Sequence, residues 1–190
     1  MVYCDIKQLD HLMIIHCAPV LKRKKIASMF HINKADFPDL ATQIAAYNQK
    51  FNDLDIYVTI LQDHRPRITI YVYRQQALSY VLKRNNIQHF LSHYGYPRTD
   101  LKAKLAYLDK RLALDTYPHE IGIFLGYPLN DVIGFIRHDH CCLNGYWKVY
   151  HYNQNIQRLF KIYDTCTKSM LQAINHGKTL LQATYGLVPN

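Results

Sequence analysis

Apolar residues in the first third of the chain recur mainly at helical spacing. Ile6, Leu9 and Leu12 or Met13 share one face of a short helix over 5–15. Pro19, after His16-Cys17-Ala18, is expected to break the chain there. A second helix is predicted over 22–30, basic on one side, with Ile26, Met29 and Phe30 on the other. Asp36 reads as an N-cap before Pro38, and the helix it opens carries Leu40, Ile44 and Tyr47.

The period then changes from helical to alternating. Ile56, Val58 and Ile60 alternate with Tyr57, Thr59 and Leu61, and Ile68, Ile70 and Val72 alternate with Arg67, Thr69, Tyr71 and Tyr73. With Asp63-His64-Arg65-Pro66 between them, these runs predict an antiparallel hairpin with one aliphatic and one Tyr/Thr face. Helices are predicted over 75–84, 86–93 and 99–113, the last carrying Leu101, Leu105, Leu108 and Leu112. Residues 119–126 read as a third, buried strand, 129–137 as a short helix with Val132, Ile133 and Ile136, and 145–151 as a fourth strand. A long helix over 153–175 buries Ile156, Leu159, Phe160, Tyr163 and Met170, with Gly177 as its C-cap.

Strands and helices intermix without regular βαβ alternation. The expected class is therefore α+β: a single domain, 1–190, with a small, mostly antiparallel sheet of about four strands packed with several helices. A helical N-terminal layer is expected over about 1–50 and a sheet-plus-helix body over about 51–190. Gly95-Tyr96-Pro97 with Asp100 and Gly126-Tyr127-Pro128 with Asp131 echo each other. Both read as helix starts, with the acid near the positive helix end.

At 190 residues the chain is long enough to bury a core without disulfides or metals. Hydrophobic residues make up 49%, which excludes disorder as the main description. No run reaches the roughly 18 apolar residues of a membrane span. The apolar stretch 12–21 is followed, rather than preceded, by its basic cluster, so it does not read as a signal peptide. A cytoplasmic location is expected. The five cysteines, Cys4, Cys17, Cys141, Cys142 and Cys166, show no framework spacing and read as free thiols. The net charge of +9 suggests an acidic partner or an anionic ligand, though the basic residues outside 22–25 are scattered.

Phosphate loops, dinucleotide fingerprints, His-Glu-x-x-His, Cys-x-x-Cys and nucleophile elbows are all missing from the sequence. Four constellations remain. Cys17, close to Lys22–Lys25, has the setting of either an activated thiol or a small buried hydrophobe. His119-Glu120 offers acid/base groups, or else ties down a strand entrance. His138-Asp139-His140-Cys141-Cys142 is rich in ligand atoms but lacks a distant second pair. Tyr57, Tyr71 and Tyr73, with Arg67 and Arg74, form either a base-stacking face or a face covered by helices.

Residues 118–136 (PHEIGIFLGYPLNDVIGFI) and 145–150 (GYWKVY) resemble an uncharacterised bacterial family, known only as a domain of unknown function of about this length. Cys17-Ala18-Pro19-x-Leu21 with Lys25 and Phe30 is similar to that family's opening motif. Val72-Tyr73-Arg74 and Gly95-Tyr96-Pro97 fall in matching order between them. The resemblance spans nearly the whole chain and implies no stated activity. Lys22, Arg23 and Lys24 replace the family's small residues and glycine, so Lys25 alone matches its basic position. The 138–142 loop matches no family motif.

The resemblance groups Cys17, Lys25, His119, Glu120, Tyr127, Asp131, Trp147 and Lys148. The leading expectation is one pocket for a small anionic ligand or cofactor. His119, Glu120 and Cys17 are its candidate catalytic groups, and Lys25, Tyr127, Asp131, Trp147 and Lys148 its ligand-binding groups. No metal is assigned and the cofactor is unknown. The competing expectation is a basic interaction module that docks an acidic protein partner or single-stranded nucleic acid, with binding that falls steeply with salt.

Overall fold

The computed structural model describes residues 8–62 and 66–185. Cys4, the start of the predicted 5–15 helix and most of the predicted hairpin loop lie outside the described residues. The structure is α+β, built around a three-stranded antiparallel sheet of order β1-β3-β2: β1 is Ala27–Asn33, β2 Ile56–Leu61 and β3 Arg67–Arg74. β1 pairs with β3 from Ala27 opposite Tyr73 to Asn33 opposite Arg67, and β2 pairs with it from Ile56 opposite Arg74 to Leu61 opposite Thr69.

The sheet is the middle layer. Its aliphatic face, including Phe30, Ile32, Val58, Ile68, Ile70 and Val72, packs on α1 (Gln8–Leu21), α2 (Leu40–Phe51), α8 (Gln154–Asn175) and α9 (Leu180–Tyr185). Met13, Ile14, Cys17, Ala18, Val20 and Leu21 of α1 are all fully buried. A helix apolar on nearly every side belongs between two layers, and α1 lies between the sheet and α8. Tyr71 and Tyr73 point the other way. They pack under α3 (Gln75–Leu82), α4 (Asn85–Ser92), α5 (Leu101–Leu112), α6 (Ile121–Phe124) and α7 (Leu129–Arg137). Most of this tyrosine face is therefore covered: Tyr71 is 0% and Tyr73 8% exposed.

Several expected features differ. Pro19 does not break the helix: it sits in the last turn of α1, where its missing N–H costs one bond, and its carbonyl accepts from the Lys24 and Lys25 amides. Arg23 then turns the chain at φ +59.

The predicted helix over 22–30 gives way to β1, so the first 50 residues contribute a strand to the sheet. Ile26, Met29 and Phe30 suit a helix, but Phe30 and Ile32 also alternate with exposed His31 and Asn33. Pairing all along β3 satisfies the backbone and decides for the strand.

The predicted strand over 119–126 is a tight turn and the four-residue helix α6. The strand over 145–151 shrinks to β5 (Lys148–Val149), folded back on β4 (Leu143–Asn144) as a separate two-stranded hairpin. Residues 121–125 are apolar on all sides because they are buried under the sheet, and such a run carries no period to separate helix from strand.

Candidate functional site

The site grows from the α6–α7 turn. The Tyr71 hydroxyl donates to the Phe124 carbonyl at 2.6 Å and fixes α6 against the sheet. Gly126 turns the chain at φ +79, a conformation that side chains resist, and a Cβ there would meet Ile26 at 3.0 Å. α7 follows, and Asp131 in its first turn reaches out to the β4–β5 hairpin. Its carboxylate accepts from Trp147 Nε1 (2.8 Å), the Tyr150 amide (2.8 Å) and the His151 amide (3.1 Å). Gly134 allows the hairpin to approach, since a Cβ would lie 2.6 Å from the Tyr150 ring. Trp147 stacks on Tyr127 with centroids 5.1 Å apart and meets Phe160 edge-on at 4.8 Å.

Between α6, α7 and this hairpin lies a cleft of about 330 Å³, the small end of the usual ligand-pocket range. Tyr117, Tyr127, Phe135 and Trp147 supply its aromatic wall, and Ile121, Leu125 and Val132 its aliphatic lining. His119 and Lys148 are exposed at its mouth, and both rest on Phe135. The imidazole meets that ring edge-on at 5.0 Å, and the Lys148 ammonium lies 5.5 Å from its centroid. A larger, open groove of about 710 Å³ runs between β2 and α5, and none of the expected site residues lines it.

Five of the eight expected site residues thus meet in one place: His119, Tyr127, Asp131, Trp147 and Lys148. Asp131 changes role. With three donors on its carboxylate it holds the wall in position rather than offering a free acceptor to a ligand. Tyr117 and Phe135 were missed. Phe135 lies inside the 118–136 motif, and Tyr117 is an exposed aromatic just before it, so proximity to that motif was the available signal.

The three expected catalytic residues are not assembled. Cys17 is 0% exposed within the core beneath the sheet, and burial pushes its thiol pKa up against the pull of Lys25, so it is not an activated nucleophile. Glu120 is 1% exposed. It accepts from Arg111 Nε at 2.9 Å and from the Tyr96 hydroxyl at 3.3 Å, and it does not line the cleft. His119 and Glu120 still part company, as expected of neighbours, but on a turn rather than a strand.

Lys25 stands behind the cleft wall rather than in it. It is 9% exposed, donates to Ser28 Oγ at 3.2 Å and lies 5.3 Å from the centroid of the Tyr127 ring. Burial lowers its pKa from 10.5 to about 8, against the opposing pull of Cys17. Among the described residues no carboxylate pairs with it.

Cys141 and Cys142 donate to the Leu143 and Tyr150 carbonyls, each at 3.3 Å. Among the described residues no group of three or more His, Cys, Asp or Glu is gathered to hold a metal, and Cys17, Cys141, Cys142 and Cys166 are free. Among them, too, no helix is long and apolar enough to cross a membrane.

Comparison with known proteins turns up no matching curated protein and no matching solved structure. The profile of one family, described as "Protein of unknown function (DUF3793)", matches residues 13–184, a span that holds all eight expected site residues. The chain belongs to that family of unknown function.

Proposed function

We propose that the protein binds a small, flat ligand with one anionic group in the cleft under Trp147. The observation that carries this reading is the pairing of an aromatic slot with two cationic or ionisable groups, His119 and Lys148, at its mouth. A planar ring fits between aromatic side chains at offset-stacking distances. A carboxylate or phosphate on that ring would then sit in the mouth, within reach of the Lys148 ammonium and the His119 imidazole. Lys25 adds positive potential from behind, against Tyr127, and no carboxylate among the described residues pairs with it. His119 is the one group of the expected catalytic set that a bound ligand can reach.

Trp147 is the only tryptophan of the chain, so its fluorescence reports on the cleft directly. A native mass spectrum of freshly purified protein, set against the denatured mass, should show an added mass that leaves on denaturation. Titration with flat aromatic carboxylates and phosphates should quench Trp147 saturably. Lys148→Ala and His119→Ala should weaken that quenching about tenfold or more while the fold is kept. A bare polypeptide mass together with flat titrations across such compounds would refute the reading.

A further inference from the structure

The three-stranded sheet has two edge strands, β1 and β2, and the chain treats them differently. A bare edge is a row of unpaired N–H and C=O groups, which proteins normally close off. The register shows which groups those are. The Arg74 amide donates to the Ile26 carbonyl at 2.9 Å, and the Lys34 amide to the Pro66 carbonyl at 2.8 Å. Antiparallel bonding alternates, so the even-numbered residues of β1 bond inward to β3, and Met29 and His31 turn their backbone groups outward. By the same alternation Val58 and Ile60 face outward from β2, with Gln62 next in line.

The β2 edge is closed. The Asn48 side chain acts as a short piece of neighbouring strand. Its amide donates to the Val58 carbonyl and its oxygen accepts from the Val58 amide, both at 2.8 Å. The Gln62 amide donates to the Asp109 carboxylate at 2.7 Å. The β1 edge has no such cover: among the described residues, no hydrogen bond engages the outward groups of Met29 and His31. The His31 side chain is exposed and Met29 is half-buried.

The surroundings of this edge set the chemistry of a partner. On the aliphatic side of β1, His16 of α1 stacks on Phe30 with centroids 5.1 Å apart. Ile15 beside it is 42% exposed, an aliphatic side chain left in water. The other side of the strand is basic. Residues 22–34 contain no Asp or Glu, and Arg23 and Lys24 are exposed ahead of β1. Arg67, opposite Asn33, is exposed too. Partial burial, and then the charge of Arg67, lower the His31 pKa, so Arg67 stands close to the edge. A strand laid along β1 presents alternate side chains to these two sides. Apolar residues suit the first and carboxylates the second.

We infer that the outer edge of β1 docks an extended segment of an acidic protein. The segment joins the sheet as a fourth strand, with apolar side chains toward Ile15 and His16 and carboxylates toward His31 and Arg67. Main-chain bonds to Met29 and His31 supply affinity, and the alternation supplies specificity. The inference is independent of the aromatic cleft, whose lining includes none of these residues.

The test is fluorescence anisotropy of the full-length protein with a labelled peptide of alternating Val and Glu, about eight residues long, an ordinary strand length. Saturable one-to-one binding is expected, and the matching Val/Lys peptide should not bind. His31→Pro removes an outward N–H and leaves the ladder to β3 in place, because Pro is tolerated where its missing N–H faces out of the sheet. It should weaken binding about tenfold, the worth of a backbone hydrogen bond. Methylating alternate peptide nitrogens should weaken binding as much, and it needs no change in the protein. Three outcomes overturn the inference: no saturable binding, binding indifferent to both His31→Pro and N-methylation, or equal binding of the Val/Lys peptide. A concentration-dependent dimer in sedimentation that His31→Pro abolishes would also overturn it, by assigning the edge to a second copy of the chain.

Discussion

Asp131 and Glu120 are both buried carboxylates near the same cleft, yet they are stabilised in opposite ways. Glu120 faces a full charge, the Arg111 guanidinium, and hydrogen bonding to Glu120 holds the Arg111 pKa above its usual range. Among the described residues, the hydrogen-bond partners of the Asp131 carboxylate include no cation. Three N–H dipoles share its charge, two from the hairpin backbone and one from Trp147. The Glu120 pair is anchored at a partly exposed arginine, so water can take over part of its work. The Asp131 donors belong to three residues of one hairpin, so that carboxylate decides where a whole wall of the cleft stands. A buried acid held by dipoles is thus an architectural centre here, and one held by a salt bridge is a local tie.

Removing Asp131 is expected to have the largest effect. Asp131→Ala leaves three donors without their acceptor and should cost about 3–5 kcal/mol in urea unfolding. Trp147 emission should shift to the red as the indole loses its partner. A loss under about 1 kcal/mol with unchanged emission would break the comparison at its stronger end.

Lys25 extends the comparison to a buried charge with which no carboxylate among the described residues pairs. Its folded pKa is about 8 against an ordinary 10.5. Between those values the unfolded chain holds a proton that the folded chain lacks, so stability rises with pH across that window. The gain is about 3 kcal/mol when complete. Lys25→Met should be the more stable protein at pH 7, and the wild type should close the gap as pH rises from about 8 toward 10.5. Tyrosines whose pKa values are raised by burial affect both proteins alike and cancel in the difference. Guanidinium unfolding of the pair at pH 7 and pH 9.5 checks this, and a constant gap would count against a depressed amine.

Glu120→Gln should cost less, about 1–2 kcal/mol, because Arg111 keeps partial access to water and the amide oxygen can still accept from Tyr96. If its cost matched that of Asp131→Ala, charge pairing and dipole sharing would be equivalent here. Lys148→Ala should change stability by about 0.5 kcal/mol or less, the worth of an exposed cation over Phe135. A larger loss would place the cleft mouth within the core and count against its being open for a ligand.

Much of this molecule can be read along the chain. The alternation at 56–61 and 67–73 identified both strands of the hairpin and separated the aliphatic face from the tyrosine face, because each residue step in a strand changes sides. The long periodic helix over 153–175 matches α8 closely, and Asp100 does cap α5, accepting from the Ala103 amide at 2.9 Å. The residues grouped by family resemblance included five that line one cleft.

Position in three dimensions decided the rest. Residues 27–33 suit a helix or a strand, and only the free edge of β3 settled the matter. The echo between Asp100 and Asp131 is sequential, but one acid caps its own helix and the other reaches across to a hairpin. Cys17 and Glu120 have the residue types of catalytic groups. Packing instead sealed the first into an apolar core and locked the second onto Arg111 and Tyr96. Residue type and spacing determine which groups are available and which faces are apolar. Whether a charge is solvated, paired or left alone depends on neighbours brought from distant parts of the chain, and no local pattern encodes that.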